Sequence, residues 1–457
     1  MPADRIEGEI IALEPGSIVR PSFAYPRPLS PGSKIPGFHA SWAFLTLHQY
    51  VAMKPLRTMA PTLILAAILP VSSAFAAPPW LDGEYLYRYF VWGTDNLVSQ
   101  ADNYKRFPYH EVDTAEPTFH FTAGDQSAMP SAVEYYEGDT LKQAHLTDLL
   151  LSTGTHAFIV IRNDKILYEN YFNGYQRDSF CLSRSVAKSF VSALVGIAIS
   201  EGYIKSIDEP ITNYLPELNG RGFEAITIKD LLRMGSGIRF RYGKLPWDEE
   251  TLDYFYPNLT NWLLNDVTIA EPPGQNFFYA DTNTELMALI LKRATHRTLA
   301  EYLQEKIWKP LGMEYPARWS IDSDEDGLEM AFVLLNARAI DFAKFGRLYL
   351  KEGKWNGAQI VPRQWVIDST TEDPNDNRPW VTDPDFRKYG GYYKYYWWGH
   401  RGAEGGYTYE AMGLFGQYIF VSPKNKVVIV RTGAKWGIDP GDWQQILRYL
   451  AGHIPAE

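Results

Sequence analysis

The segment CLSRSVAKSFVSALVGIAISEG, residues 181–202, sets a hydroxyl and an amine three positions apart at the front of an apolar run. Residues i and i+3 share a helix face, so Ser185 Oγ and Lys188 Nζ can meet near the start of a helix. Behind them Val186, Phe190, Val191, Leu194, Val195 and Ile197 make the helix apolar nearly all round, which predicts burial. Burial disfavours a charged lysine, and a neutral amine can take a proton from serine. The free N–H groups at the helix start favour a developing oxyanion. The expected chemistry is an activated serine nucleophile. An S-x-x-K pattern alone arises about once by chance in a chain this long. A capping serine beside a snorkelling lysine would give the same letters.

A second element adds weight. PPGQNFFYADTNTELMALI places Tyr279-Ala280-Asp281 in a loop just before a helix with apolar Leu286, Leu289 and Ile290. Tyr279 could serve as a partner acid or base. The elements that must hold these residues are strand-rich at both ends. HAFIVIRNDKILYENYFNG reads as a hairpin turning at Asn163-Asp164, and GQYIFVSPKNKVVIVRTG as another turning at Pro423-Lys424-Asn425. An amphipathic helix is expected from Asp442 to Ala451, and the stretch from Trp80 to Phe121 reads as aromatic and irregular. The fold class expected is α+β: an antiparallel sheet built from both chain ends, flanked by helices, with a mostly helical lobe inserted at about 216–330.

Ser185-Val186-Ala187-Lys188, the Tyr279 triplet and a late glycine-bearing strand resemble the penicillin-recognising serine hydrolase superfamily. That group includes class C β-lactamases, D-alanyl-D-alanine peptidases and family VIII esterases. SRSVAKSFVSALVGIAISEGYIKSIDEPITNYLPEL, ITIKDLLRMGSGI, NARAIDFAKFGRLYLKEGKWNGAQIVP and GLFGQYIFVSPKNKVVIVRTG are, in order, most similar to 6-aminohexanoate-dimer hydrolase-like members. The resemblance covers roughly residues 150 to 457, and implies a β-lactamase/transpeptidase-like fold without a cofactor. It implies that Ser185 is the acylated nucleophile, Lys188 its proton acceptor, and Tyr279 the group that protonates the leaving group and then activates water. The oxyanion hole would be the backbone N–H groups of Ser185 and Leu414. Asp281, where most relatives have Asn or Ser, and Gly413 would contact substrate. The third motif, Lys-Thr-Gly or His-x-Gly in relatives, falls on Ala411-Met412-Gly413: the glycine is kept and the cation is absent. Arg431-Thr432-Gly433 follows the last hairpin and is a decoy for that motif. The missing cation favours an amidase or esterase over a β-lactamase or D-alanyl-D-alanine carboxypeptidase. A non-catalytic penicillin-binding-like envelope module is the alternative of another class.

Composition narrows the partners. A formal charge of −10 and no basic run argue against nucleic acid. The nine histidines are scattered and one cysteine is present, so neither a transition-metal site nor an internal disulfide is expected. Cys181 reads as a small buried hydrophobe. Asp322 to Gly327, DSDEDG, copies the opening of a calcium loop, but Val333 stands where the closing glutamate should be, so a solvated acidic turn is expected. YGGYYKYYWWGHRG, residues 389–402, reads as core packing, or else as an apolar wall for substrate.

Residues 53–76 carry Lys54 and Arg57, an apolar run from Leu63 to Leu69 and Ala74-Phe75-Ala76, the pattern of a signal peptide. The run is too short to span a membrane. The first 52 residues then read as a disordered upstream extension from a mis-assigned start, and residues 77–457 as the hydrolase domain. A periplasmic or secreted enzyme acting on a small-molecule amide or ester is expected, with no stable membrane insertion after cleavage.

Overall fold

Asn163 and Asp164 have φ of 49° and 64°, the paired left-handed conformations of a two-residue hairpin turn. They join β1 (Thr155–Arg162) to β2 (Lys165–Tyr171). The computed structural model describes residues 78–92, 103–323, 327–402 and 406–455. The upstream extension, the leader, and Asp324, Glu325 and Asp326 of the acidic turn lie outside the described residues.

The late part of the chain adds β3 (Gly391–Lys394), β4 (Trp397–Arg401), β5 (Tyr407–Gly413), β6 (Gln417–Ser422) and β7 (Val427–Gly433). Together they form one sheet in the order β3-β4-β5-β6-β7-β1-β2, with Thr122–Ala123 running parallel to β2 at the edge. The sheet is closed by antiparallel pairing of β7 with β1, Val428 opposite Ile161 and Val430 opposite Ile159. Both chain ends do build it. β1, β6 and β7 are buried on both faces, which explains their near-continuous apolar runs.

The helices that matter here are α1 (Val186–Ser200), α2 (Glu249–Phe255), α3 (Thr282–Thr295), α4 (Ala339–Leu350) and α5 (Pro440–His453). α4 lies directly on the sheet: a Cβ on Gly346 would come within 2.6 Å of Val428 and 2.8 Å of Ile419. Glycine is what allows that approach. α5 covers the opposite face, where Gln444 donates to Glu410 at 2.5 Å and Tyr418 donates to the Pro440 carbonyl. Side chains alternate along a strand. Ala411 and Gly413, paired with Ile419 and Gln417, therefore face the α4 side.

Three expectations change. The irregular N-terminal stretch contains a strand, Tyr109–Val112, paired with Ala317–Ser320 in a second sheet. The final helix runs from Pro440 to His453, started by Asp439, whose side chain accepts from the Gly441 N–H. Asp322 is buried rather than solvated, and its carboxylate accepts from the Leu259 and Leu328 N–H groups. In the aromatic segment Tyr392, Tyr393, Tyr395, Tyr396, Trp397 and Trp398 are all buried, in line with the core-packing reading and against the open wall. Among the described residues, no helix is long and apolar enough to cross a membrane.

Candidate active site

Ser185 sits at the N-cap of α1, yet its side chain caps no backbone N–H. Lys188 is 1% exposed and does not snorkel. Both observations go against the bland explanation of the S-x-x-K pattern. The residue before the helix is fixed instead by Ser183, whose Oγ donates to the Val333 carbonyl at 2.7 Å and accepts from the Leu335 N–H at 3.1 Å. That anchoring leaves the Ser185 hydroxyl free for Lys188. Nζ donates to Ser185 Oγ at 2.9 Å and to the Phe332 carbonyl at 3.0 Å.

The third neighbour of the amine is Asp281 Oδ1, at 2.8 Å. Asp281 stands at the N-terminus of α3, which packs against α1. Burial acts on Lys188 in the expected direction, against its charge. The Asp281 carboxylate and then Tyr279 act the other way and prevail, so the pKa ends above the ordinary lysine value. The pairing with Asp281 thus favours the charged form of Lys188, against the neutral amine that burial alone would give. The partner's polarity was missed because nothing in the spacing of 188 and 281 announces their meeting.

Tyr279 completes the group. Its ring centre lies 5.0 Å from Lys188 Nζ, and its hydroxyl interacts with the side chains of Ser185 and Lys188. Trp398 stacks on the ring at 5.5 Å and Tyr393 meets it edge-on at 5.9 Å. Thr382 Oγ1 accepts from its N–H at 2.9 Å. Burial raises its pKa, and the nearby ammonium only partly offsets that, so the phenol keeps its proton at neutral pH. The aromatic segment thus supports Tyr279 from behind.

Two carboxyl groups under the site escaped the sequence analysis. Asp253 of α2 accepts from Thr282 Oγ1 at 2.9 Å, and Glu285 of α3 accepts from the Phe332 N–H at 3.4 Å. Both are fully buried. Burial, and then the charge of Asp281 for Asp253 and of Asp253 for Glu285, hold them well above the ordinary carboxylate range. Their only signal in the sequence is an acid set among apolar helix positions. Glu285 fixes the N–H of the same residue whose carbonyl holds Lys188.

The late strand reaches the serine through Gly413. A Cβ there would lie 2.8 Å from the Ser183 carbonyl oxygen and 3.0 Å from the Ser185 nitrogen. The kept glycine is a steric need. Among the described residues neither the Ser185 nor the Leu414 N–H has a hydrogen-bond partner. Ala411 faces the same way but is fully buried. Cys181 is no rival nucleophile: burial pushes its thiol up to about 11, and its sulfur accepts from Thr432. Among the described residues no group of His, Cys, Asp and Glu could hold a metal ion.

Comparisons with known proteins agree with this architecture. Residues 151–450 match the family model described as Beta-lactamase. The chain is 26% identical over 358 residues to the 6-aminohexanoate-dimer hydrolase of Paenarthrobacter ureafaciens, covering 75% of this chain and 89% of that protein. A solved Bacillus anthracis structure, proposed to be a 6-aminohexanoate-dimer hydrolase, aligns with a TM-score of 0.66 at 26% identity, over 82% of this chain and 96% of that one. A Bacteroides dorei structure proposed to be a β-lactamase aligns with a TM-score of 0.55 over 65% and 93%; at 18% identity that likeness concerns the fold alone.

Proposed function

The chain belongs to the β-lactamase family, and from that premise we propose that it is an exported serine hydrolase cleaving an amide or ester through an acyl-enzyme on Ser185. The observation that carries this reading is the approach of Lys188 Nζ to Ser185 Oγ, 2.9 Å, with Tyr279 over the same amine.

Each proton has a place to go. Lys188 passes one proton to Asp281 and, as an amine, accepts the Ser185 proton while Oγ bonds to the acyl carbon. The Ser185 and Leu414 N–H groups stabilise the oxyanion. As the intermediate collapses, the leaving amine or alkoxide takes the Tyr279 proton, Tyr279 recovers one from Lys188, and Lys188 recovers its own from Asp281. For deacylation Lys188 again passes a proton to Asp281. Water gives a proton to Tyr279 as Tyr279 gives its own to the Lys188 amine, and the hydroxide bonds to the acyl carbon. As the ester bond breaks, Lys188 returns a proton to Oγ and recovers one from Asp281.

Linear amides of the kind named for the Paenarthrobacter relative, and neutral short-chain esters, are the substrates favoured. No cation stands at Ala411 to hold a substrate carboxylate. The leader pattern over residues 53–76 supports action outside the cytoplasm.

A fluorophosphonate probe tests the reading. It should add mass to the peptide containing Ser185, and Ser185→Ala should abolish both labelling and turnover, with a rate loss of about 10⁴-fold or more. Labelling confined to Ser183 or Ser189, or none at all on the folded protein, would refute it.

A further inference from the structure

We propose that Arg431, set aside above as part of a decoy motif, is a positioning residue that together with Gln417 fixes the Leu414 N–H at the oxyanion site. The inference rests on the acyl-enzyme reading and adds to it a part that never touches substrate.

Arg431 is fully buried in β7, and among the described residues it has no carboxylate partner. A buried guanidinium without a counter-ion is costly unless every N–H is satisfied. Here all five are. Nη1 donates to the Phe415 carbonyl at 2.9 Å and the Gly416 carbonyl at 2.6 Å. Nη2 donates to the Thr153 and Lys435 carbonyls at 3.1 and 3.2 Å, and Nε to Thr155 Oγ1 at 3.1 Å. The cation stacks over Trp443 of α5, 4.0 Å from the ring centre. Burial pulls its pKa down to about 9, which still leaves it charged at neutral pH.

Two of those acceptors belong to the turn between β5 and β6. The third carbonyl of that turn, Leu414, accepts from Gln417 Nε2 at 3.1 Å. Gln417 is itself tied to Gly433, donating to its carbonyl at 2.7 Å and accepting from its N–H at 3.0 Å. All three carbonyls of the Leu414-Phe415-Gly416 turn are thus held by the Arg431–Gly433 strand end. The Leu414 N–H shares its peptide plane with the Gly413 carbonyl, which accepts from the Gly416 N–H at 3.1 Å. Holding the three planes that follow keeps Gly416 in place for that bond, and so sets the direction of the Leu414 N–H.

The turn needs holding. Phe415 has φ of 69°, followed by Gly416 at 76°, and a non-glycine residue there persists only where its surroundings over-determine it. The residue before the nucleophile is in the same state: Arg184 has φ of 48°, and its guanidinium lies 5.2 Å from the centre of the Phe415 ring. Each proposed oxyanion donor therefore adjoins a left-handed residue, and the two left-handed residues touch. Lysine at 431 could satisfy neither the planar geometry nor all the acceptors.

A thiono substitution separates positioning from general structural support. Sulfur is a weak hydrogen-bond acceptor, so a short-chain thionoester draws little from an oxyanion hole. Removing one such donor typically costs about 10²–10³-fold in kcat. For Arg431→Lys, kcat/KM on the oxoester should fall, with KM within about twofold, and the oxoester-to-thionoester ratio should fall about tenfold or more. Equal losses on both substrates in a folded variant would overturn the proposal. Gln417→Met frees the Leu414 carbonyl and its ties to Gly433 while leaving Arg431 in place, and carries the same ratio test should Arg431→Lys fail to fold; an unchanged ratio there overturns it equally. Fluorophosphonate labelling of wild type at Ser185 is the separate arm. Its absence would remove the acyl-enzyme reading itself, whereas labelling with an unchanged ratio removes only the role given to Arg431.

Discussion

Asp281 Oδ1 lies 2.8 Å from Lys188 Nζ, and that one contact reverses what burial alone would do to the lysine. The amine is surrounded by protein, yet its charge is favoured because a carboxylate shares its enclosure. For the proposed mechanism the question becomes what draws a proton from an amine that its surroundings keep charged.

Lys188→Arg should be nearly as damaging as Lys188→Ala. Arginine could keep the ion pair with Asp281, but it does not release its proton in a protein. Burst kinetics with a chromogenic ester measure acylation directly. An arginine variant keeping most of that rate would reduce Lys188 to an electrostatic aid.

Asp281→Asn should change the shape of the pH profile. Without the carboxylate the largest influence opposing burial is gone, Tyr279 remaining as the lesser one, so the Lys188 pKa falls and no carboxylate stands beside the amine. The variant's kcat/KM should rise with pH as the amine discharges, across a range where wild type is flat. Stability carries the opposite sign. A lysine whose folded pKa is raised contributes stability fully below its unfolded value, about 10.4, and loses it as the pH climbs through the higher folded value. Thermal unfolding should therefore show the wild-type advantage over Asp281→Asn shrinking only at strongly alkaline pH. Parallel activity profiles for the two proteins would remove Asp281 from the proton path.

Ala411→Lys should destabilise the protein instead of creating a penicillin-hydrolysing enzyme. The position faces the helix side of the sheet but is fully buried, so the added chain overpacks the layer at about 1–3 kcal/mol before its charge is counted. Melting temperature and the ratio of cephalosporin to neutral-ester hydrolysis measure the two effects. A folded variant with a tenfold gain in that ratio would show that a cation there can still reach substrate.

Expression from Met53 in a Gram-negative host should yield a secreted form beginning at Ala77, read by N-terminal sequencing. An uncleaved cytoplasmic product would sink the proposed export.

The meeting of Ser185 and Lys188 was legible because i, i+3 spacing is local and the helix carrying them is apolar all round. Hairpin turns and the sheet closed by both ends were legible for the same kind of reason: turn residues and alternation act over a few positions. Asp281 was visible as a residue but not as a partner, since its pairing depends on α3 docking against α1. Tyr109–Val112 was missed because a short, mostly exposed strand has little apolar pattern, and its partner lies more than 200 residues away. Phe332 gives Lys188 its backbone carbonyl at 3.0 Å, and a carbonyl has no letter in the sequence. The role of Arg431 was hidden for a related reason: its acceptors are main-chain atoms of a turn that no residue type identifies.

The pairing of β7 with β1 has a kinetic consequence. Strand β1 ends at Arg162 and its neighbour begins at Val427, so the middle of the sheet cannot close until nearly the whole chain has been made. Contacts of such sequence separation form slowly, because a long loop must be ordered before they reward it. The serine and lysine are synthesised early, whereas the turn carrying Leu414 arrives late. A ribosome-bound or truncated chain ending before β7 would hold Ser185 and Lys188 while lacking the strand that pairs with β1, leaving the long apolar β1 edge open to aggregation. Such a chain lacks the late part of its candidate site until it is complete.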